Sequence, residues 1–136
     1  MHYYIYAEKD TTIYSGSRSY GSVKSEDQNT GVDEIIEIDK RIQPTYDTDS
    51  WSRALIKFDL TTIKNLISKG HFTNFSTDVK YYLNLFATEH KEIGVSDMLY
   101  AYPLSSSWEM GLGKYHDTPF TTEGATWNTY NGVSGS

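Results

Sequence analysis

The stretch Arg53-Ala54-Leu55-Ile56-Lys57-Phe58-Asp59-Leu60 alternates in hydropathy. Ala54, Ile56, Phe58 and Leu60 fall on one side of an extended chain. Arg53, Lys57 and Asp59 fall on the other, with Leu55 the single apolar exception. Successive strand side chains point to opposite faces, so a period of two marks a strand with one buried and one solvated face. A helix would bring Ile56 and Leu60 together but aim Phe58 elsewhere. The same alternation returns in Tyr81-Tyr82-Leu83-Asn84-Leu85-Phe86-Ala87. The two stretches predict central strands of one antiparallel sandwich.

A chain of 136 residues has the length of one domain, spanning 1–136. Its aromatic fraction of 15%, with twelve Tyr, favours strands. The net charge of −6 argues against a nucleic-acid partner, which calls for a basic face. Cysteine is absent, which excludes disulfides and thiolate zinc sites. The segment Met1 to Asp10 has neither the basic start nor the apolar run of a secretory signal. No apolar run reaches the length of a membrane-spanning helix.

Working outward, Tyr3 to Ala7 and Thr11 to Tyr14 read as two short strands, broken at Glu8-Lys9-Asp10. Ser15 to Asp33 is the longest irregular stretch, and such loops are usually functional or pinned. Within and beside it, Glu26, Asp27, Asn29, Asp33 and Glu34 offer oxygen ligands of the kind calcium uses, without the spacing of a helix-loop-helix calcium loop. The competing reading is a solvated loop whose Asp and Asn side chains cap their own backbone. Glu34 to Ile42 predicts a strand with Ile36 and Ile38 inward, ended by Pro44, and then a polar turn from Thr45 to Ser50. Thr61 to Gly70 predicts a short helix capped by a Thr, with Ile63, Leu66 and Ile67 on one face and Gly70 past its end, plugging one end of the sandwich. Phe72 and Phe75 read as core-edge residues. Val79 to Ala87 and Met98 to Leu104 complete the predicted strands. The architecture expected is all-β, a jelly-roll-like antiparallel β-sandwich with one short helix.

Several of these segments resemble, in order, those of the DNRLRE-type domains. Those are β-sandwich modules, some classed as carbohydrate-binding, of bacterial surface and secreted proteins and of phage particles. Asp10-Thr11-Thr12-Ile13-Tyr14 resembles their "D-A-T-I-Y" strand, and Asn29-Thr30-Gly31 their "N-x-G" turn. Arg53 to Leu60 is similar to "r-x-L-I-x-F-D-L". Trp108-Glu109-Met110-Gly111 is similar to "W-x-E-G", and Ala125-Thr126-Trp127-Asn128 to "v-T-W-N". The Gly111-Leu112-Gly113-Lys114-Tyr115 form is most like versions in tailed-phage virion proteins. The family runs on past "T-W-N", whereas this chain ends in Val133-Ser134-Gly135-Ser136. The expectation that follows is either a longer parent protein or cover supplied by neighbouring copies.

No residue pattern points to catalysis. His2, His71, His90 and His116 are scattered, and there is no Gly-x-Ser-x-Gly elbow. Trp51, Trp108 and Trp127 suit an aromatic platform for a sugar ring, against packing of Trp108 and Trp127 over the sandwich end, and Tyr100 and Tyr102 suit a partner or carbohydrate contact. Glu26, Asp27, Asn29 and Asp33 are the candidate calcium ligands. The resemblance implies a non-enzymatic structural or adhesion component of a phage particle, in the virion assembled in the host cytoplasm. It would contact other virion proteins, copies of itself or a surface glycan, with no nucleic acid and no membrane. The alternative is a carbohydrate-binding module of a bacterial surface or secreted protein.

Overall fold

The strand Thr48–Phe58 (β5) lies between two antiparallel neighbours, Ala7–Ser15 (β1) and Lys40–Gln43 (β4), in a sheet of order β1-β5-β4. This computed structural model describes residues 2–16, 19–20, 23–43, 48–72, 77, 79–88 and 98–132. Part of the turn from Thr45 to Ser50, Phe75, His90 and residues 133–136 lie outside them. The alternation of β5 is realised except at Leu55, a solvated-side position that is half-buried like Ala54 and Ile56. Ser52 is buried, Ala54, Ile56 and Phe58 are half-buried, and Trp51, Arg53 and Lys57 are exposed. Leu60 lies beyond the strand and is exposed.

One strand, Ala7–Ser15, forms here: of the predicted strand Tyr3 to Ala7 only Ala7 belongs to it, and it continues through the predicted Thr11 to Tyr14. β1 pairs with β5 from Ala7↔Phe58 to Ser15↔Trp51, and the predicted break at Glu8 is a register shift between Ala7 and Lys9. A bulge of this kind absorbs one extra residue without ending the ladder. Tyr3, Tyr4 and Tyr6 precede the strand and are exposed. The predicted strand Glu34 to Ile42 is also corrected. Only Lys40–Gln43 pairs with β5, and residues 33–39 run irregularly, with Ile35 and Ile38 exposed. Their hold is polar: Glu37 N donates to Thr12 Oγ1 at 2.9 Å, and Asp39 N to Ser52 Oγ at 2.6 Å.

The chain forms two compact units, Met1–Asp59 with Ser106–Ser136, and Leu60–Ser105. In the first, a two-residue hairpin pairs Ser19–Tyr20 (β2) with Val23–Lys24 (β3), and a 3₁₀ turn follows at Ser25–Asp27. In the second, the helix Thr61–Ser68 (α1) ends as read. Gly70 has φ +73°, its N–H donates to Ile67 O, and His71 N donates to Leu66 O, the paired bonds of a left-handed terminus. The cap differs from the reading, because Leu60 holds the N-cap position with no side-chain bond. Val79 to Ala87 and Met98 to Leu104 form no strand, and from Lys80 onward their side chains are exposed. The regular structure is thus β-rich, with one α-helix among the described residues.

Two neighbours on β5 test its phase. Lys57 is exposed and pairs with Glu8 at 3.2 Å between half-exposed side chains, so Lys57→Ala should cost less than about 0.5 kcal/mol. Phe58 is half-buried, so Phe58→Ala should cost about 1–3 kcal/mol. Equal costs in a urea titration would contradict this phase.

Candidate functional site

The deepest part of the first unit is polar. Gln28, Asn29 and Thr30 are at most 1% exposed, whereas the buried apolar side chains among the described residues are Trp108, Phe120 and Ala125. A buried polar group is tolerated only when its hydrogen bonds are made. Asn29 makes all four that its amide allows. Its Nδ2 donates to Met110 O at 2.8 Å and to Ala125 O at 2.9 Å. Its Oδ1 accepts from Gly31 N at 3.1 Å and from Gly113 N at 2.9 Å. Its own backbone N–H reaches Thr121 O at 2.7 Å. Three stretches far apart in sequence, Asn29-Thr30-Gly31, Trp108 to Gly113 and Glu123 to Ala125, therefore close on one side chain. Thr30 Oγ1 ties this hub to β1 through Thr12 O at 2.7 Å.

Glycines make the approach possible. A Cβ at Gly31 would run into the Met110 carbonyl, and one at Gly124 would stand 2.6 Å from Gly111 Cα and 2.7 Å from Asn29 Nδ2.

The expected metal ligands disperse. Asn29 Oδ1 already accepts two N–H groups, so its acceptor capacity is used. Glu26 and Asp27 share Asn128, whose Nδ2 donates to Glu26 Oε2 at 3.2 Å and to Asp27 Oδ1 at 2.9 Å. Asp33 accepts from Tyr115 N at 3.1 and 3.3 Å. Among the described residues no group of three or more His, Asp or Glu gathers around a common centre.

The expected contact residues also separate. Trp108 is buried in the first unit, with the Lys9 ammonium 4.5 Å from its ring centroid and bonded to its carbonyl. It serves as core. Trp127 is half-buried with the Arg53 guanidinium 4.7 Å above its ring, and Trp51 carries Lys40 at 4.5 Å. Each Trp ring therefore already holds a cation from the sheet, an arrangement attractive in itself. Tyr100 and Tyr102 belong to the second unit, where they are exposed and stack on each other at 6.3 Å.

A second aromatic group escaped the sequence reading. Tyr14 of β1 lies 5.1 Å from Tyr115, and Tyr115 lies 5.2 Å, edge-on, from His116. Tyr14 Oη donates to Glu37 Oε2 at 3.1 Å, and Asp33 holds the Tyr115 turn from beneath. Residues separated by a hundred positions meet here, and no local spacing announces it. The one signal available was the Asn-x-Gly and Gly-x-Gly pairing that sets the Lys114-Tyr115 turn beside Gln28.

Burial pushes the Tyr14 phenol above its ordinary value near 10, and the Glu37 carboxylate adds to the shift. Burial also raises the Asp33 carboxyl, against the pull of the Tyr115 N–H. Asp117 goes the other way, lowered by the Lys114 N–H and by Thr121. A phenol raised in the folded state contributes stability that is complete below its unfolded value and is lost as pH rises. The wild-type chain should therefore lose stability relative to Tyr14→Phe once the pH passes 10. Parallel alkaline slopes for the two proteins would contradict the burial of Tyr14.

No family model, no curated protein and no solved structure matches this chain.

Proposed function

We propose that this chain is a non-enzymatic structural or adhesion component of a phage particle, in its tail, a fibre or the capsid exterior, built on a jelly-roll-like β-sandwich. The observation that carries the reading is the surface of the Leu60–Ser105 unit. Tyr82, Phe86, Met98, Leu99 and Tyr102 are 70–93% exposed. So many exposed large apolar side chains in two segments of one unit exceed the scattered exposure normal for a monomer and fit a surface covered by a partner. Apolar segments with strand-forming sequence gain a ladder by pairing with another chain. Copies packed in a particle supply that partner at high effective concentration. The phage setting rests on the ordered motif segments from Asp10 to Asn128 and on the Gly111-to-Tyr115 form.

Size-exclusion chromatography with light scattering on the 136-residue chain tests it. The expected result is an assembly several times the chain mass of 15.5 kDa, dissociated by Phe86→Ser with Leu99→Ser. A stable monomer of 15.5 kDa with a cooperative melt would overturn the reading.

A further inference from the structure

We infer that Asn131 and Gly132 form a self-modification site, where the Asn131 side chain closes on the Gly132 nitrogen and deamidates to aspartate and isoaspartate under restraint by Thr129. The site lies in the first unit and has no part in the assembly reading. Of the six asparagines, Asn131 alone is followed by glycine, and the others precede Thr, Leu or Phe. The next backbone nitrogen must reach the side-chain carbon, and a following side chain obstructs that approach. Glycine, with no Cβ, does not. Asn131 is also exposed, so water and base reach it. Asn29 is the opposite case, 0% exposed with all four of its amide hydrogen bonds made.

The reaction needs no partner but water. The Gly132 nitrogen loses its proton to solvent base and attacks Asn131 Cγ. The Cγ–Nδ2 bond breaks, and the amide nitrogen takes up a proton and leaves as ammonia. The five-membered succinimide that remains adds one water. Cleavage of its bond between the Gly132 nitrogen and Cγ gives aspartate on an unchanged main chain. Cleavage between that nitrogen and the main-chain carbonyl carbon gives isoaspartate, whose main chain runs through the former side chain and is one carbon longer.

The surrounding turn sets the rate. Gly132 N donates to Thr129 Oγ1 at 3.2 Å, so the attacking nitrogen is held by a hydroxyl. Thr129 Oγ1 also lies 3.0 Å from Thr126 Oγ1 and 3.4 Å from Gly124 O. The bond from Gly132 must break before its nitrogen can lose the proton, which makes Thr129 a positioning residue that slows the closure.

The product has a structural consequence. Gly132 has φ +77°, and a Cβ there would stand 2.7 Å from Gly124 N and 2.9 Å from Glu123 Cα. Gly124 in turn presses on the Asn29 amide. A longer isoaspartyl link displaces Gly132 from this close approach, whereas aspartate leaves it in place. The isoaspartyl form therefore loosens the hub around Asn29.

The test incubates the full chain in mildly alkaline buffer, followed by peptide mapping with mass spectrometry that separates the two isomers. The expected result is conversion of amide to acid at Asn131 ahead of every other asparagine. Thr129→Val should speed it about threefold to tenfold, the effect of losing one hydrogen bond of ordinary net strength, and Thr129→Ser should keep the wild-type rate. In denaturant all three chains should react at one rate. The separated isoaspartyl form should exchange its Asn29 side-chain amide faster than the aspartyl form. No acid at Asn131, equal rates for folded Thr129→Val and wild type, or unchanged Asn29 exchange in the isoaspartyl form would each overturn the proposal. The first and last of these use the wild-type chain, so they decide it even where Thr129→Val does not fold.

Discussion

Asn29→Ala will abolish cooperative folding of the Met1–Asp59 and Ser106–Ser136 unit. The substitution removes four hydrogen bonds at a position that is 0% exposed. It strands the Met110 and Ala125 carbonyls and the Gly31 and Gly113 amides in the interior. Each unsatisfied buried group costs about 1–3 kcal/mol, so the sum is at least about 4 kcal/mol. That approaches the whole stability of a small domain, about 5–15 kcal/mol. Asn29→Asp keeps the shape but turns a donating NH₂ into an acceptor facing two carbonyls. It should be nearly as damaging at neutral pH and less so in acid, where the carboxyl regains a donor. Urea titration measures both, and a cost of Asn29→Ala below about 1 kcal/mol would contradict the hub.

Gly111→Ala should cost about 3 kcal/mol or more, from two separate sources. Gly111 has φ +76°, a conformation that costs a side-chain-bearing residue about 1–2 kcal/mol. Its new Cβ would also meet the Asn29 amide and the Glu123 carbonyl, and forcing atoms into packed space costs about 1–3 kcal/mol. Gly70 is the internal control. Its φ of +73° is nearly the same, but a Cβ there meets nothing within 4 Å. Gly70→Ala should therefore show the backbone part alone, about 1–2 kcal/mol. Equal losses at the two glycines would mean that Gly111 is not pressed against the hub.

What the sequence made legible was the apolar alternation, and what it hid was burial of polar groups. β5 was readable because Ala54, Ile56 and Phe58 keep a period of two, and the helix because Gly70 marks its end. The stretch from Ser15 to Asp33 reads as solvated because its side chains are polar and its glycines frequent. Its last part is nevertheless the most buried of the first unit: the Gln28 and Asn29 amides bond to backbone from residues 110–125, and Thr30 Oγ1 bonds to Thr12 O. Periodicity carries no trace of such long-range bonds. The Asn29-Thr30-Gly31, Trp108-to-Gly111 and Ala125-to-Asn128 segments were singled out by resemblance, and the geometry brings all three around the hub and its flanking 3₁₀ turn. Val79 to Ala87 shows the opposite failure. Alternation marks a chain able to join a ladder but does not name the neighbour, and here the segment stays exposed.

Hydrogen exchange of the Asn29 side-chain amide, followed by NMR on the ¹⁵N-labelled chain, tests the hub most directly. The Nδ2 protons bond to Met110 O and Ala125 O in a fully buried site, so they should exchange as slowly as the Gly31 and Gly113 backbone amides and in step with global unfolding. Exchange of the Asn29 amide as fast as that of the exposed Asn128 side chain would contradict it.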